Sequence, residues 1–384
     1  MSLGSVTATS LPDPPAYGGG SLADVMPAAL HALGVDGGRP GLGLEPAARV
    51  VVLLIDGLGS HALRAYAAEA PVLTALMEAP ASRSITTVFP STTPIALTSL
   101  GTGLTPGEHG ITGLLLRLAD GRVVNTLAMP AQVDLAALQP RPTAFELAAA
   151  AGVAVTRVGP APFATEGLTA AALRGGEYAA AELPAARVRA TATAVRRGER
   201  ALVYCYYGAL DHTGHRKGSR SAAWRAELKV VDRTVDELVD ALPAGTTLVV
   251  TSDHGMVDVR PADRWDVATT PALSDGVEAV SGDLRGVQVH CRPGAVDAVR
   301  DAWQETLGGA FWVLPQEDAV AAGFYGPVVE PFVRERLGDL LALARTEHVV
   351  VDSRVLPPVV MSMIGMHGGL SRAEIDVPLV VHRT

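Results

Sequence analysis

Three aliphatic runs in this chain each lead to an aspartate. Val50-Val51-Val52-Leu53-Leu54-Ile55 runs into Asp56, Leu202-Val203-Tyr204-Cys205-Tyr206-Tyr207 into Asp211, and Thr247-Leu248-Val249-Val250-Thr251 into Ser252-Asp253-His254-Gly255. Apolar runs without alternation suit strands covered on both faces, and helical patterns lie between them, so the expected fold is α/β: a mostly parallel central sheet with helices on both faces. In such sheets ligands collect outside the carboxyl ends of the strands, so acids placed there converge although they are far apart in sequence.

The helical patterns are Ser60 to Ala68, Pro94 to Leu100, Phe145 to Ala151 and the long stretch Ser221 to Leu242, with further strands at Arg83 to Phe89 and Val153 to Val158. The Ala-rich stretch Ala161 to Ala194 reads as helix and loop. Between Met256 and Gly286 glycine and proline thicken and the pattern changes: Gly286 to Cys291 reads as a strand, Val296 to Leu307 as a helix, Ala310 to Leu314 as a strand and Glu317 to Ala322 as a short helix. We read residues 260–348 as a small inserted α+β subdomain that covers the active site of a single catalytic domain.

Apolar residues make up 48% of the 384, enough for a sizeable core, and the net charge is −9 with only two lysines, Lys217 and Lys229. That balance gives no basic groove for a nucleic-acid polymer, while a small phosphorylated substrate remains compatible with it. Cys205 and Cys291 each sit inside an apolar run and are expected to be buried thiols. No stretch reads as a membrane span or a signal peptide, so the expected location is the cytoplasm.

Asp211 and His215 are four residues apart, which lets a first helical turn present both to one ion, and Asp253 and His254 adjoin at a strand end that Gly255 allows to turn. With Asp56 and His367 these residues are a ligand set for two divalent cations. Carboxylate and imidazole without thiolate favour zinc, with manganese or iron as alternatives, over the all-oxygen preference of magnesium and calcium. Two such ions about 4 Å apart suit an in-line displacement at phosphorus. For a nucleophile, Thr93 precedes Pro94 and a helical run, which predicts Thr93 as the helix N-cap, where amides and the helix dipole gather an anion.

Ile55-Asp56-Gly57, the threonine ahead of the helix that ends near Thr102-Gly103, His109-Gly110-Ile111, Asp211-x-x-Gly-His215, Ser252-Asp253-His254-Gly255 and His367-Gly368 resemble, in order, the metal-site signature of the alkaline phosphatase superfamily, in its type I phosphodiesterase / nucleotide pyrophosphatase branch. The resemblance implies one zinc held by Asp56, Asp253 and His254 and bridged by the nucleophile, and a second held by Asp211, His215 and His367. It also implies that Thr93 rather than Thr92 attacks phosphorus. Nucleotide pyrophosphatases carry an asparagine a few residues after the His-Gly-Ile; this chain has Leu114 there, with Asn125 as the candidate replacement if a hairpin brings it back. His61, His109, His212 and His290 are read as structural or exposed, with His109 bracing the loop behind the nucleophile helix. The expected activity is metal-dependent hydrolysis of phosphoric esters, of phosphodiesterase or nucleotide pyrophosphatase type. A phosphomonoesterase, phosphonate hydrolase or phosphomutase is the alternative on the same fold. A catalytically silent binding module is the alternative of another class, disfavoured because no ligand or nucleophile is missing.

Overall fold

The computed structural model describes residues 10–130 and 132–384. Seven strands form the large sheet, in the order Arg83–Thr86, Asp376–Arg383, Thr246–Thr251, Arg49–Ile55, Ala201–Tyr207, Ala154–Gly159, Glu177–Ala180. Arg49–Ile55 is parallel to both neighbours, with Ile55 level with Tyr207 and Leu54 level with Thr251. Asp376–Arg383 runs antiparallel to both of its own. The uniformly apolar strands are explained by two cores. Val50, Val52 and Leu54 face Leu30, Ile95, Leu100 and Phe145 on one side, and Val51, Leu53 and Ile55 face Leu73, Val188, Trp224 and Leu228 on the other. The helix Ala222–Ala241 starts at an N-cap, Ser221, whose side chain accepts from Trp224 N, and packs one apolar stripe against the second core.

Two of the sheet's strands add to those expected from the sequence. Glu177–Ala180 lies inside the stretch read as helix and loop, and it is half exposed because it forms the sheet edge, so its four residues carry no apolar signature. Asp376–Arg383 is inserted beside Thr246–Thr251 as the last element of the chain.

A second, antiparallel sheet of six strands has the order Phe311–Pro315, Leu340–Ala344, Gly286–Cys291, Val277–Asp283, Leu115–Arg117, Val123–Asn125. Its outer hairpin, Leu115 to Asn125, comes from far upstream of residues 260–348. Period-two alternation divides its faces: Leu340, Ala342 and Ala344 pack with Trp303 of the helix Val296–Leu307, whereas Leu341 and Leu343 pack with Phe89, Phe324, Tyr325, Leu370 and Ile375. That second face rests against Phe89, just before the predicted nucleophile, and Leu370, just after His367. Among the described residues no helix is long and apolar enough to cross a membrane.

Candidate metal centre and nucleophile

Asp56 extends the strand ladder by one bond, Asp56 N donating to Tyr207 O at 2.9 Å, and then Gly57 turns the chain with φ 77°. A Cβ at Gly57 would stand 2.9 Å from Asp211 Cβ, so only glycine lets the two acidic segments meet. Gly57 N donates to Asp253 Oδ1 at 3.1 Å and Leu58 N to Ser252 Oγ at 2.9 Å, which locks the ends of two neighbouring strands together. Asp211 lies in the first turn of the helix Ala209–Lys217, and His215, one turn on, places Nε2 3.3 Å from Asp211 Oδ2. His367 follows the short strand Gly365–Met366.

All three histidines are held the same way. Nδ1 of His215 stands 2.7 Å from Gly365 O, Nδ1 of His254 2.9 Å from Gly255 O, and Nδ1 of His367 3.0 Å from Ser91 O. A carbonyl can only accept, so each ring carries its proton on Nδ1 and turns the Nε2 lone pair inward. The inward atoms then crowd: His367 Nε2 is 3.2 Å from His215 Nε2, and His254 Nε2 is 3.5 Å from Asp56 Oδ1 and 3.4 Å from Asp253 Oδ2. Asp56 Oδ1, Asp211 Oδ1 and Asp253 Oδ2 are buried without a hydrogen-bond partner. Burial, then the charges of Asp253 and Asp211, push the Asp56 carboxyl well above the usual range, and burial, then His254 and His215, hold His367 well below the ordinary imidazole value. Three orphaned carboxylate oxygens and three inward lone pairs, gathered with one hydroxyl at their edge, are a set of electron-pair donors that fits cations.

The atoms fall into two groups, Asp211 with His215 and His367, and Asp56 with Asp211 and His254, each within 4.8 Å. Asp211 belongs to both. Asp253, expected beside Asp56 and His254, spends Oδ1 on Gly57 N and His254 N and directs only Oδ2 into the cluster.

Thr93 stands at the edge of this cluster, Oγ1 3.2 Å from His254 Nε2. It is the first residue of the helix Thr93–Thr102 rather than its N-cap. Thr92 holds the cap position with φ −144° and ψ 149°, and Pro94 follows Thr93 inside the first turn, where its missing N–H costs nothing. Thr92 is buried beside the Asp283 carboxyl, which burial pushes up to about 7. Of the two threonines, Thr93 is the one that faces the ligands.

His109 is fully buried, its Nε2 2.8 Å from Ser99 Oγ and its Nδ1 accepting from Ile111 N at 3.1 Å, so it ties the nucleophile helix to the next loop. Burial holds its pKa down at about 3. His212 is exposed, His61 pairs with Asp376, and His290 meets Ser281 Oγ in the second sheet. Cys205 and Cys291 are buried free thiols in separate sheets.

Several neighbours had no sequence signal of their own. Tyr206 OH donates to Asp56 Oδ2 at 2.5 Å. Ser91 Oγ donates to Gly369 O at 2.7 Å and accepts from Gly368 N at 3.2 Å, fastening the nucleophile loop to the His367 loop. Behind both, Arg285 and Glu374 form a two-pronged buried ion pair (2.7 and 2.9 Å), and Glu374 also accepts from Gly369 N while its carbonyl accepts from Gly255 N at 2.7 Å. A cavity of about 270 Å³ opens beside the cluster, lined by Asp56, Thr93, Asp211 and Tyr206 and also by Phe163 and Tyr178. Leu114 is not part of its wall. The hairpin that could return Asn125 does form, yet Asn125 Oδ1 accepts from Leu127 N at 2.9 Å, and it is Leu127 that reaches the cavity.

The chain is similar to known proteins at several depths. Short segments are 42% identical over 69 residues to human ectonucleotide pyrophosphatase/phosphodiesterase family member 7 and 40% identical over 55 residues to GPI ethanolamine phosphate transferase 3 of Schizosaccharomyces pombe. They make up 16% and 14% of this chain and only 15% and 6% of those proteins. Among solved structures, murine ectonucleotide pyrophosphatase / phosphodiesterase 5 in complex with AMP superposes with a TM-score of 0.67 at 17% identity over 87% of both chains. Phosphonoacetate hydrolase from Sinorhizobium meliloti in complex with phosphonoacetate gives 0.67 at 21% identity over 91% of this chain and 92% of that one. Residues 50–370 match the family described as type I phosphodiesterase / nucleotide pyrophosphatase, and the chain therefore belongs to that family of the alkaline phosphatase superfamily.

Proposed function

We propose that the protein is a two-metal hydrolase of phosphoric esters, of phosphodiesterase or pyrophosphatase type, with Thr93 as nucleophile. The observation that carries this reading is the set of three orphaned carboxylate oxygens and three inward-facing imidazole nitrogens beside a threonine hydroxyl at a helix N-terminus. Asp56, Asp253 and His254 would hold one divalent cation and Asp211, His215 and His367 the other, with Asp211 close enough to serve both and Thr93 Oγ1 bridging toward the first. Zinc suits the mixed oxygen and nitrogen donors, with manganese or iron as alternatives. Such ions, when bound, favour the alkoxide over the hydroxyl and offset charge on the phosphoryl oxygens.

Thr93 Oγ1 gives up its proton and forms a bond to phosphorus, the ester bond to the leaving group breaks, and the departing oxygen takes up a proton. Water then hydrolyses the threonine phosphoester, which still carries the second substituent, and restores the hydroxyl. Tyr206 fixes Asp56 through its hydroxyl, and the carbonyls of Gly365, Gly255 and Ser91 fix the imidazole tautomers. The cavity beside Thr93 gives room for a second substituent on phosphorus, which favours a diester or pyrophosphate over a monoester. The unit at 260–348, with the hairpin from Leu115 to Asn125, forms the cover of the site on the Asp283 side. Murine ectonucleotide pyrophosphatase / phosphodiesterase 5 was solved with AMP and the Sinorhizobium enzyme with phosphonoacetate, both small phosphorus-containing anions.

The test compares turnover of a bis-ester, a nucleotide-monophosphate ester and a monoester by wild type and Thr93→Ala, each loaded with zinc or manganese and assayed for metal content. Removal of a nucleophile is expected to lower turnover of every ester at least ~1000-fold with metal content unchanged. Retained turnover in Thr93→Ala rejects Thr93 as the attacking group, and wild type that neither binds metal nor turns over any ester is a binding module.

A further inference from the structure

Arg157 lines the cavity beside Thr93 and is the one arginine in its wall. It sits on the strand Ala154–Gly159, level with Tyr204 on one neighbour and with Tyr178 on the other, so all three side chains rise from the same face of the sheet. Its guanidinium lies 5.5 Å from the centre of the Tyr178 ring, and its Nε is buried with no hydrogen-bond partner. Among the described residues no carboxylate pairs with it. Glu166, the one carboxylate in the outer part of the same cavity, makes no ion pair with it, and burial shifts the Glu166 carboxyl toward its neutral form. Arg187, the next arginine along this edge, is by contrast spent on the carbonyls of Ala181 and Glu182.

A half-buried guanidinium held by one aromatic ring and nothing else is costly unless something anionic completes it. Its position defines what that is. The strands carrying Asp56 and Arg157 are separated by one intervening strand, so they lie roughly 10 Å apart, and Leu97, Phe163 and Leu168 wall the space between.

Building on the phosphoryl-transfer reading above, we propose that this cavity takes the substituent of the phosphoric ester, and that Arg157 selects substituents with an apolar middle and a second anionic group, a carboxylate or a phosphate, at the far end. Arg157 is then the specificity residue of the site. Its planar fork can grip either anion with two hydrogen bonds.

The experiment uses the metal-loaded full chain and calorimetric titration with three compounds: hexylphosphonate, its ω-carboxylate analogue and its ω-phosphonate analogue. At least one acid-tailed compound should bind wild type on the order of tenfold more tightly than hexylphosphonate, the value of a charge-assisted hydrogen bond. Which of the two acids binds better distinguishes a carboxylate from a phosphate. The ratio should fall to about one in Arg157→Gln and recover in part in Arg157→Lys; because it is a ratio within one variant, general damage cancels. A ratio of one in wild type, or an unchanged ratio in Arg157→Gln, overturns the assignment while leaving the metal site intact. Acid-tailed compounds that bind through Arg157 when hexylphosphonate does not would sink the metal-site reading and keep Arg157. Failure of all three to bind sinks both.

Discussion

The two halves of the ligand cluster are built from different materials. On the closed side, Asp56, Asp253 and His254 have side chains only 3, 0 and 0% exposed, and they sit at the ends of adjacent strands cross-linked through Gly57, Leu58 and Ser252. On the open side, Asp211 and His215 are 15 and 18% exposed, and they come from a helix's first turn, joined by a loop histidine, His367. The closed side inherits its rigidity from the sheet. The open side is held by a few bonds from distant segments: Gly365 to His215 and Ser91 to His367. A cation on the closed side should therefore be held more tightly and exchange more slowly than one on the open side, whose ligands are more exposed.

The largest effect should come from a residue that braces both sides from behind. Glu374 holds Gly255, behind His254, through its carbonyl, and Gly369, behind His367, through its carboxylate, while pairing with Arg285 where both are at most 1% exposed. Burial raises the Glu374 pKa and the Arg285 charge and hydrogen bonds lower it, for a net downward shift, so the charge is kept. Glu374→Gln leaves a guanidinium buried and unpaired, at a cost of about 3–5 kcal/mol in denaturant unfolding of the metal-free chain. The paired replacement Arg285→Met with Glu374→Leu should recover much of that loss. A single variant within ~0.5 kcal/mol of wild type, the range of an inert surface change, would show that the pair ties nothing together.

Ligand variants sharpen the contrast between the halves. His367→Ala should weaken one cation per chain by more than the ~10–100-fold typical of losing an outer partner and leave the second in place through chelator challenge. Asp253→Asn should do the reverse. Asp211→Asn should weaken both, because its atoms belong to both groups. Metal content against chelator concentration reads all three, and equal loss from His367→Ala and Asp253→Asn would erase the distinction between a closed and an open side.

Much of the closed half is legible in the sequence because strand ends are: an unbroken apolar run, then an acid, then glycine, is enough to set Asp56 and Asp253 at the carboxyl ends of their strands. The cap of the nucleophile helix lies one residue earlier than the sequence suggests, since Pro94 is tolerated anywhere in a first turn and the threonine pair offers two caps. The open half is harder to read. His367 is brought to His215 by Ser91, through a contact across 277 residues, and by Glu374, whose buried partner Arg285 lies 89 residues away, and no local pattern encodes either. Arg157 looks like any arginine in a strand, because an unpaired guanidinium is visible only when its surroundings are.

A brace behind the closed side offers the smallest and most specific test. His109 bonds Ser99 on the helix that begins with Thr93, and burial lowers its pKa from 6.5 to about 3. The native state therefore refuses a proton that the unfolded chain accepts. Stability from this group is complete above pH 6.5 and is lost as the pH falls from there toward 3. Relative to His109→Gln, which has no such proton to refuse, wild type should lose about 2 kcal/mol between pH 7.5 and pH 5. Acid release of metal from the cluster acts on both proteins and drops out of the difference. A difference that stays constant over that range would mean that His109 takes up its proton while folded, and that the Thr93 helix rests on something other than a neutral imidazole.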